Sequence, residues 1–227
     1  MSAYLKPKPL VKTGSFFNKM TATPFYSKFI RFIKTVVLPD QMDDLLSESP
    51  VHLVPSMAIK AFSGVRTEEI FLMEWEHVHF RRGKGYIILP RPVTKKKRRR
   101  ILPILPNLRK WIAPFEGMKG RICQQWSTPQ GVFQAWDRFA AKRSIKAGAN
   151  RFRNSYISYR VAQTSDPKKT ALETGNSAEV IMEDYLELTT SEDAARWFKI
   201  TPSANRLEAL AKHANKLKRA QAGTRID

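Results

Sequence analysis

Residues 150–185 read NRFRNSYISYRVAQTSDPKKTALETGNSAEVIMEDY. Three helical stretches are separated here by two breaks. Asp166-Pro167 supplies an N-cap followed by proline at the first helical position, and Gly175-Asn176 supplies a turn. Arg153 stands early in the first stretch, Asn176 just past the second, and Tyr185 late in the third. Upstream, Ala61-Phe62-Ser63-Gly64-Val65-Arg66-Thr67-Glu68-Glu69 adds a second arginine at a corner. Gly64 is the natural stop of an apolar helix, because glycine accepts the left-handed conformation there. Thr67 caps the next helix, with Glu68 and Glu69 in its favourable first turn. Two arginines able to clamp a phosphate and a potential tyrosine nucleophile thus lie in order along one chain.

Working outward, residues 1–15 hold Pro7, Pro9, Gly14 and several lysines, and read as a poorly ordered arm. Apolar spacing predicts helices over 25–37, 41–47, 52–62 and from Thr67 to about Trp75. The period then changes. Strands at 78–80 and 86–89 flank Arg81-Arg82-Gly83-Lys84-Gly85, and a third strand at 99–104 follows the basic run Lys95 to Arg100. From Asn107 onward the pattern is helical: 107–115, 129–146, 151–163, 167–173, 177–186, 191–198 and 203–221. The fold class is therefore mainly α with one small antiparallel β-sheet.

Forty Lys and Arg against 20 Asp and Glu give a formal net charge of +20 in 227 residues. Such self-repulsion is tolerable when a polyanion supplies the counter-charge, so nucleic acid is the leading partner and a membrane surface the weaker one. No apolar run reaches the roughly 20 residues that span a bilayer, and residues 1–11 lack a signal peptide's apolar stretch. Cys123 is the single cysteine, which excludes an internal disulfide and fits an intracellular, cytoplasmic setting. His52, His77, His79 and His213 form no metal-ligand spacing, and no glycine-rich phosphate loop is present, so neither a metal nor a cofactor is expected.

Taken singly, Arg66 and Arg153 read as surface arginines in a basic chain, and Tyr185 as a packed helical tyrosine. Their combination resembles the tyrosine recombinases, the phage-integrase family. Ser63-Gly64-Val65-Arg66, Glu69 and Met73-Glu74-Trp75 are similar to that family's first arginine box. Asn150-Arg151-Phe152-Arg153-Asn154-Ser155 is similar to its second box. Thr174-Gly175-Asn176, with Tyr185 nine positions after Asn176, matches the family's spacing of a Leu-Gly-His element and its tyrosine. Lys95 followed by Arg99-Arg100-Ile101-Leu102-Pro103-Ile104 is similar to the strand between the boxes. The likeness covers about residues 40–200, in order.

The resemblance implies an integrase-like catalytic domain that cleaves and rejoins DNA, without metal, through a 3′-phosphotyrosyl intermediate formed by Tyr185. Arg66 and Arg153 would hold the non-bridging oxygens of the phosphorane-like state, a role suited to forked guanidiniums. A lysine of the hairpin would protonate the leaving 5′-oxygen: Lys95 is the best match, with Lys96 and Lys97 as rivals. Lys96, Lys97, Arg98 and Arg151 would contact the DNA backbone. As a plain charge run, Lys95 to Arg100 also reads as phosphate-binding only.

Asn150 and Asn176 stand where the family usually has histidines, and Asn154 where it often does. An asparagine amide donates to a phosphate oxygen but moves no proton at neutral pH. Two functions follow: a recombinase or integrase of bacterial or phage origin, or a catalytically weakened integrase-like protein that holds DNA. A basic RNA-associated protein accounts for the charge and leaves the ordered boxes unexplained. The implied organisation is an N-terminal arm and remnant of a DNA-gripping helical domain at 1–38, the catalytic domain at 39–201, and a basic helix at 202–227. That last helix places Leu207, Leu210, Ala211, Ala214 and Leu217 on one face. It either packs on its own domain or passes to a neighbour in a homotetramer on DNA.

Overall fold

Among the described residues, proline stands in the first turn of five α-helices. The computed structural model describes residues 36–94, 98–145, 150–185 and 189–223. Helix α1 is Pro39–Glu48 and α2 is Val54–Ser63, with Pro55 in its first turn. The short α3 is Thr67–Leu72, followed by a 3-10 turn at Trp75–His77. Strands β1 (Val78–His79), β2 (Tyr86–Leu89) and β3 (Arg100–Pro103) form an antiparallel sheet in the order β1-β2-β3. Then come α4 (Pro106–Ile112), a 3-10 turn at Ala113–Phe115, and α5 (Pro129–Ala141). Helices α6 (Arg151–Thr164), α7 (Pro167–Thr174), α8 (Ala178–Tyr185), α9 (Ser191–Trp197) and α10 (Ala204–Gly223) complete the order. The described residues are thus mainly helical with one three-stranded sheet, as the residue patterning predicts.

Every residue of α2 is buried, and the helix packs against α4 and α6. Around it lie Trp111, Trp136 and Trp197, all buried. Trp197 of α9 stacks on Tyr159 of α6 at 4.7 Å between ring centroids and meets Phe62 of α2 edge-on at 5.7 Å. These aromatic pairs join α2, α6 and α9 through contacts that add to area burial. The C-cap of α2 is Gly64, with φ of 68°. A Cβ at that position would lie 2.5 Å from the Tyr156 ring, so glycine here serves both backbone conformation and close approach of α6.

In the sheet, Ile87 pairs with Leu102 and Leu89 with Arg100. Paired residues share a face, and Ile87, Leu89 and Leu102 are buried, so Arg100 points inward while Ile101 is exposed. Two helices are shorter than their sequence pattern predicts. The helix beginning at Thr67 stops at Leu72 because Met73 and Trp75 pair elsewhere: Ile122 N–H donates to the Met73 carbonyl at 3.0 Å and Trp75 N–H to the Gly120 carbonyl at 2.9 Å. Tertiary pairing here overrides local propensity. Helix α5 ends at Ala141, and Ser144 just beyond it has φ of 56°, incompatible with a continuing helix.

Helix α10 docks on the same chain. Leu210 and Ala214 are buried, whereas Leu207 stays substantially exposed. Arg206 donates to the Leu46 carbonyl at 3.0 Å, Lys218 to the Pro114 carbonyl at 3.1 Å, and Gln221 to the Lys119 carbonyl at 2.7 Å. The arm at 1–15 and nearly all of the expected helix at 25–37 lie outside the described residues.

Candidate functional site

The ends of α2 and α7 meet at Arg153. This side chain on α6 is 5% exposed. Its guanidinium donates to the Gly64 carbonyl, to the Thr174 carbonyl at 2.7 Å and to Asn176 Oδ1 at 2.6 Å. Gly64 caps α2 and Thr174 is the last residue of α7. Helix C-termini carry unsatisfied carbonyls and partial negative charge, so each is a natural seat for a cation.

Arg66, on the corner between α2 and α3, reaches the same place. Nη2 donates to the Gly175 carbonyl at 3.2 Å and to Asn176 Oδ1 at 3.4 Å. Nη1 and the Arg66 backbone N–H both bond the Glu69 carboxylate at 2.9 Å. Glu69 also takes Arg100 from β3, through Nη2 at 2.6 Å and Nη1 at 3.3 Å. Glu69 is 1% exposed. Burial alone would raise its carboxyl, but the charge and hydrogen bonds of Arg100, with those of Arg66, hold it below the ordinary 4.5.

Two guanidiniums therefore hold one buried carboxylate, and a third, Arg153, adjoins them through Asn176, whose Oδ1 accepts from both Arg153 and Arg66. The excess positive charge is felt at Arg153, where burial first, then the charges of Arg66 and Arg100, push the guanidinium down to about 9. It is still a cation at neutral pH. The cluster thus sets three guanidiniums against the one carboxylate of Glu69, an excess of positive charge suited to an anion with forked acceptors.

Tyr185, the last residue of α8, donates its hydroxyl to Asn154 Oδ1 at 3.2 Å. Asn154 follows Arg153 on α6, and the phenol is near enough to favour the cationic form of Arg153. The frame holding these parts is itself braced. Glu173 on α7 accepts from Arg160 at 2.7 and 2.9 Å and from the Tyr156 hydroxyl at 2.8 Å, locking α7 against α6 beneath Asn176. Beside the cluster opens a cleft of about 470 Å³, lined by Arg66, Arg98, Arg99, Arg100, Lys168 and Asn176 with apolar Ala171, Leu172 and Ala178.

The structure thus brings together Arg66, Arg153 and Asn176, with Tyr185 on the adjoining residue Asn154. Arg98 is exposed and lines the cleft. Asn150 is exposed at the start of α6, and its side chain makes no capping hydrogen bond. Arg151 is half-buried and donates to the Val36 carbonyl. Lys95, Lys96 and Lys97 lie outside the described residues. Two residues of the cluster were not picked out as site residues from sequence: Glu69, read as a first-turn acid of its helix, and Arg100, read as part of a charge run. The alternation Arg100-Ile101-Leu102 carried the signal, since it places Arg100 on the same face as a buried leucine. Among the described residues no group of His, Cys, Asp or Glu could hold a metal ion, and no helix is long and apolar enough to cross a membrane.

The fold is similar to that of solved site-specific recombinases. A crystal structure of the XerH site-specific recombinase bound to difH substrate, a pre-cleavage complex, matches with a TM-score of 0.50 and 14% identity, covering 71% of this chain and 53% of that one. XerH bound to palindromic difH substrate, a post-cleavage complex, matches with a TM-score of 0.47 and 16% identity over 88% of this chain and 55% of that one. The chain therefore spans about half the length of the recombinase it resembles. No protein-family model and no curated protein matches it.

Proposed function

We propose that this chain is a tyrosine-recombinase-like domain that binds double-stranded DNA, seats one backbone phosphate against Arg66 and Arg153, and cleaves it through Tyr185. The observation that carries this reading is the charge imbalance: Arg66 and Arg100 share the carboxylate of Glu69, Arg153 joins Arg66 at Asn176 with only neutral acceptors of its own, and a tyrosine hydroxyl bonds the residue beside Arg153. Preorganised donors of this kind stabilise charge that develops at phosphorus, and they do so most strongly where water is excluded.

In the proposed reaction the Tyr185 oxygen attacks phosphorus, forming the 3′-phosphotyrosyl bond as the bond to the 5′-oxygen breaks. The phenolic proton passes to solvent, because asparagine at 150 and 176 cannot take it. A lysine among Lys95, Lys96 and Lys97 protonates the leaving 5′-oxygen, and reversal rejoins the strand. Asn176 contributes a hydrogen bond rather than a proton. Arg98 and the neighbouring lysines hold flanking phosphates, and Arg151 steadies the start of α6 beside them. Assembly as a homotetramer on DNA belongs to the same proposal; light scattering with and without residues 203–227 tests it.

A second reading, a protein that holds DNA without cutting it, is favoured by one observation: the two asparagines. A pooled set of duplexes, each nicked at a different position, separates the two. Cleavage beside a nick releases a short fragment and traps the enzyme on DNA. An adduct formed by the wild-type protein and lost in Tyr185→Phe establishes the enzyme; retained DNA binding with no adduct across the pool establishes the holder.

A further inference from the structure

Lys60 is a buried cation that the proposed reaction leaves unused. It lies in the last turn of α2 and is 0% exposed. Its Nζ bonds the Thr67 hydroxyl and stands 5.8 Å from the centroid of the Trp136 ring, contributed by α5. Among the described residues it forms no ion pair; the nearby Glu69 carboxylate is taken by Arg66 and Arg100. The charged groups acting on it are Arg153 from α6, Arg66 from the corner, and Glu68 and Glu69 from α3. Trp136 brings no charge. An ammonium offers three protons to this surrounding, whereas a neutral amine offers two and carries no charge to be solvated.

We propose that Lys60 is a positioning residue beneath the arginine cluster, an amine that takes up a proton when a phosphodiester enters the cluster and so ties phosphate affinity to pH. The proposal rests on the reading that Arg66 and Arg153 receive a phosphate. A bound phosphate offsets the positive charge that crowds Lys60, and the protonated side chain strengthens, as a charged donor, the bond its Nζ already makes to Thr67 Oγ1. Thr67 follows Arg66 directly and opens α3, so this bond bears on the corner that aims the guanidinium. Burial, then the charge of Arg153, already push the ammonium down to about 7. The free protein therefore stands at the edge of protonation in neutral solution.

The sign of the effect follows from linkage. The amine is more basic with phosphate bound than without it, so affinity is greatest below about pH 7 and falls as pH rises toward the bound-state value. Between those two values, binding consumes protons.

The test follows the ¹³Cε signal of Lys60 against pH in the wild-type protein, assigned through its own backbone so that no variant is needed. It is run free, with inorganic phosphate, and with a short mixed-sequence duplex. The expected result is a midpoint near neutrality in the free protein that rises by about one unit or more with either probe, a tenfold change in proton affinity. Calorimetry in buffers of different ionisation enthalpy should show proton uptake on duplex binding, abolished in Lys60→Met. A free-protein midpoint near the ordinary lysine value of about 10, or one unmoved by a saturating probe, overturns the proposal. Its failure is distinct from failure of the recombinase reading. A midpoint that moves with phosphate while no adduct forms on nicked DNA keeps Lys60 and removes cleavage. An adduct with an unmoved midpoint does the reverse.

Discussion

Arg153 donates to Asn176 Oδ1 at 2.6 Å, and this one bond defines what Asn176 can offer a ligand. With its oxygen engaged by Arg153 and, more weakly, by Arg66, the amide has its nitrogen left as a donor. A neutral donor between two guanidiniums suits a phosphate oxygen. Asn176→Asp would place a carboxylate there and satisfy both arginines internally. Phosphate or duplex affinity at the site should then fall on the order of tenfold or more, about 1.4 kcal/mol, with the thermal midpoint unchanged or raised. Titration and melting of the same preparation check both halves.

Arg153 spans the Gly64 carbonyl, the Thr174 carbonyl and Asn176 at once. A lysine keeps the charge but loses the planar fork. Arg153→Lys should leave buried carbonyls unsatisfied and cost about 1–3 kcal/mol of stability per orphaned group in denaturant unfolding. Adduct formation on nicked DNA should fall by roughly 10² or more at a temperature where the variant remains folded.

Glu69 neutralises part of a three-arginine cluster, so Glu69→Gln should destabilise strongly, by about 3–5 kcal/mol, as expected when one member of a buried pair is removed. The pH dependence has a definite sign. A carboxyl held below 4.5 in the folded state contributes stability that is full above that value and is lost as pH falls through the folded-state value. Wild-type stability should decline on acidification in that window, and the decline should be shallower in Glu69→Gln. Unfolding curves at a series of acidic pH values measure it.

How far the sequence exposed this site depends on the signal each residue sends. Gly64 and Gly175, the helix start at Pro167, and the order of Arg66, Arg153 and Tyr185 are local features, and each is legible as a residue type at a fixed offset. Arg100 is hidden because Lys95 to Arg100 is an unbroken basic run, in which only strand register decides which side chain turns inward. The early stop of α3 is likewise invisible locally, since it is imposed by pairing with the segment around Gly120 and Ile122. Lys60 is the one charged residue of its helix, and no local pattern there says whether that side chain faces solvent or core. The structure buries it completely.

That burial has a cost. A lysine depressed to about 7 in the folded state keeps its ordinary basicity when unfolded, so the unfolded chain binds more protons between about 7 and 10.5 and stability rises with pH across that window. Lys60→Met, similar in shape and uncharged, should therefore be more stable than wild type at neutral pH. Its advantage should shrink as pH approaches 10.5, with about 1.4 kcal/mol at stake for each unit of depression. Denaturant midpoints of the two proteins at neutral and alkaline pH give the comparison.

The central claim is that Tyr185 attacks DNA within the arginine cluster, and peptide mapping of a trapped adduct tests it most directly. Residues 170–196 contain no internal lysine or arginine, so trypsin releases Tyr185 in one fragment. After incubation with the nicked-duplex pool and nuclease trimming, that fragment should carry a nucleotide on Tyr185, and Arg66→Ala should abolish the modification while the protein stays folded. A nucleotide on another residue, or an unmodified 170–196 fragment from protein that demonstrably bound the DNA, would contradict the account.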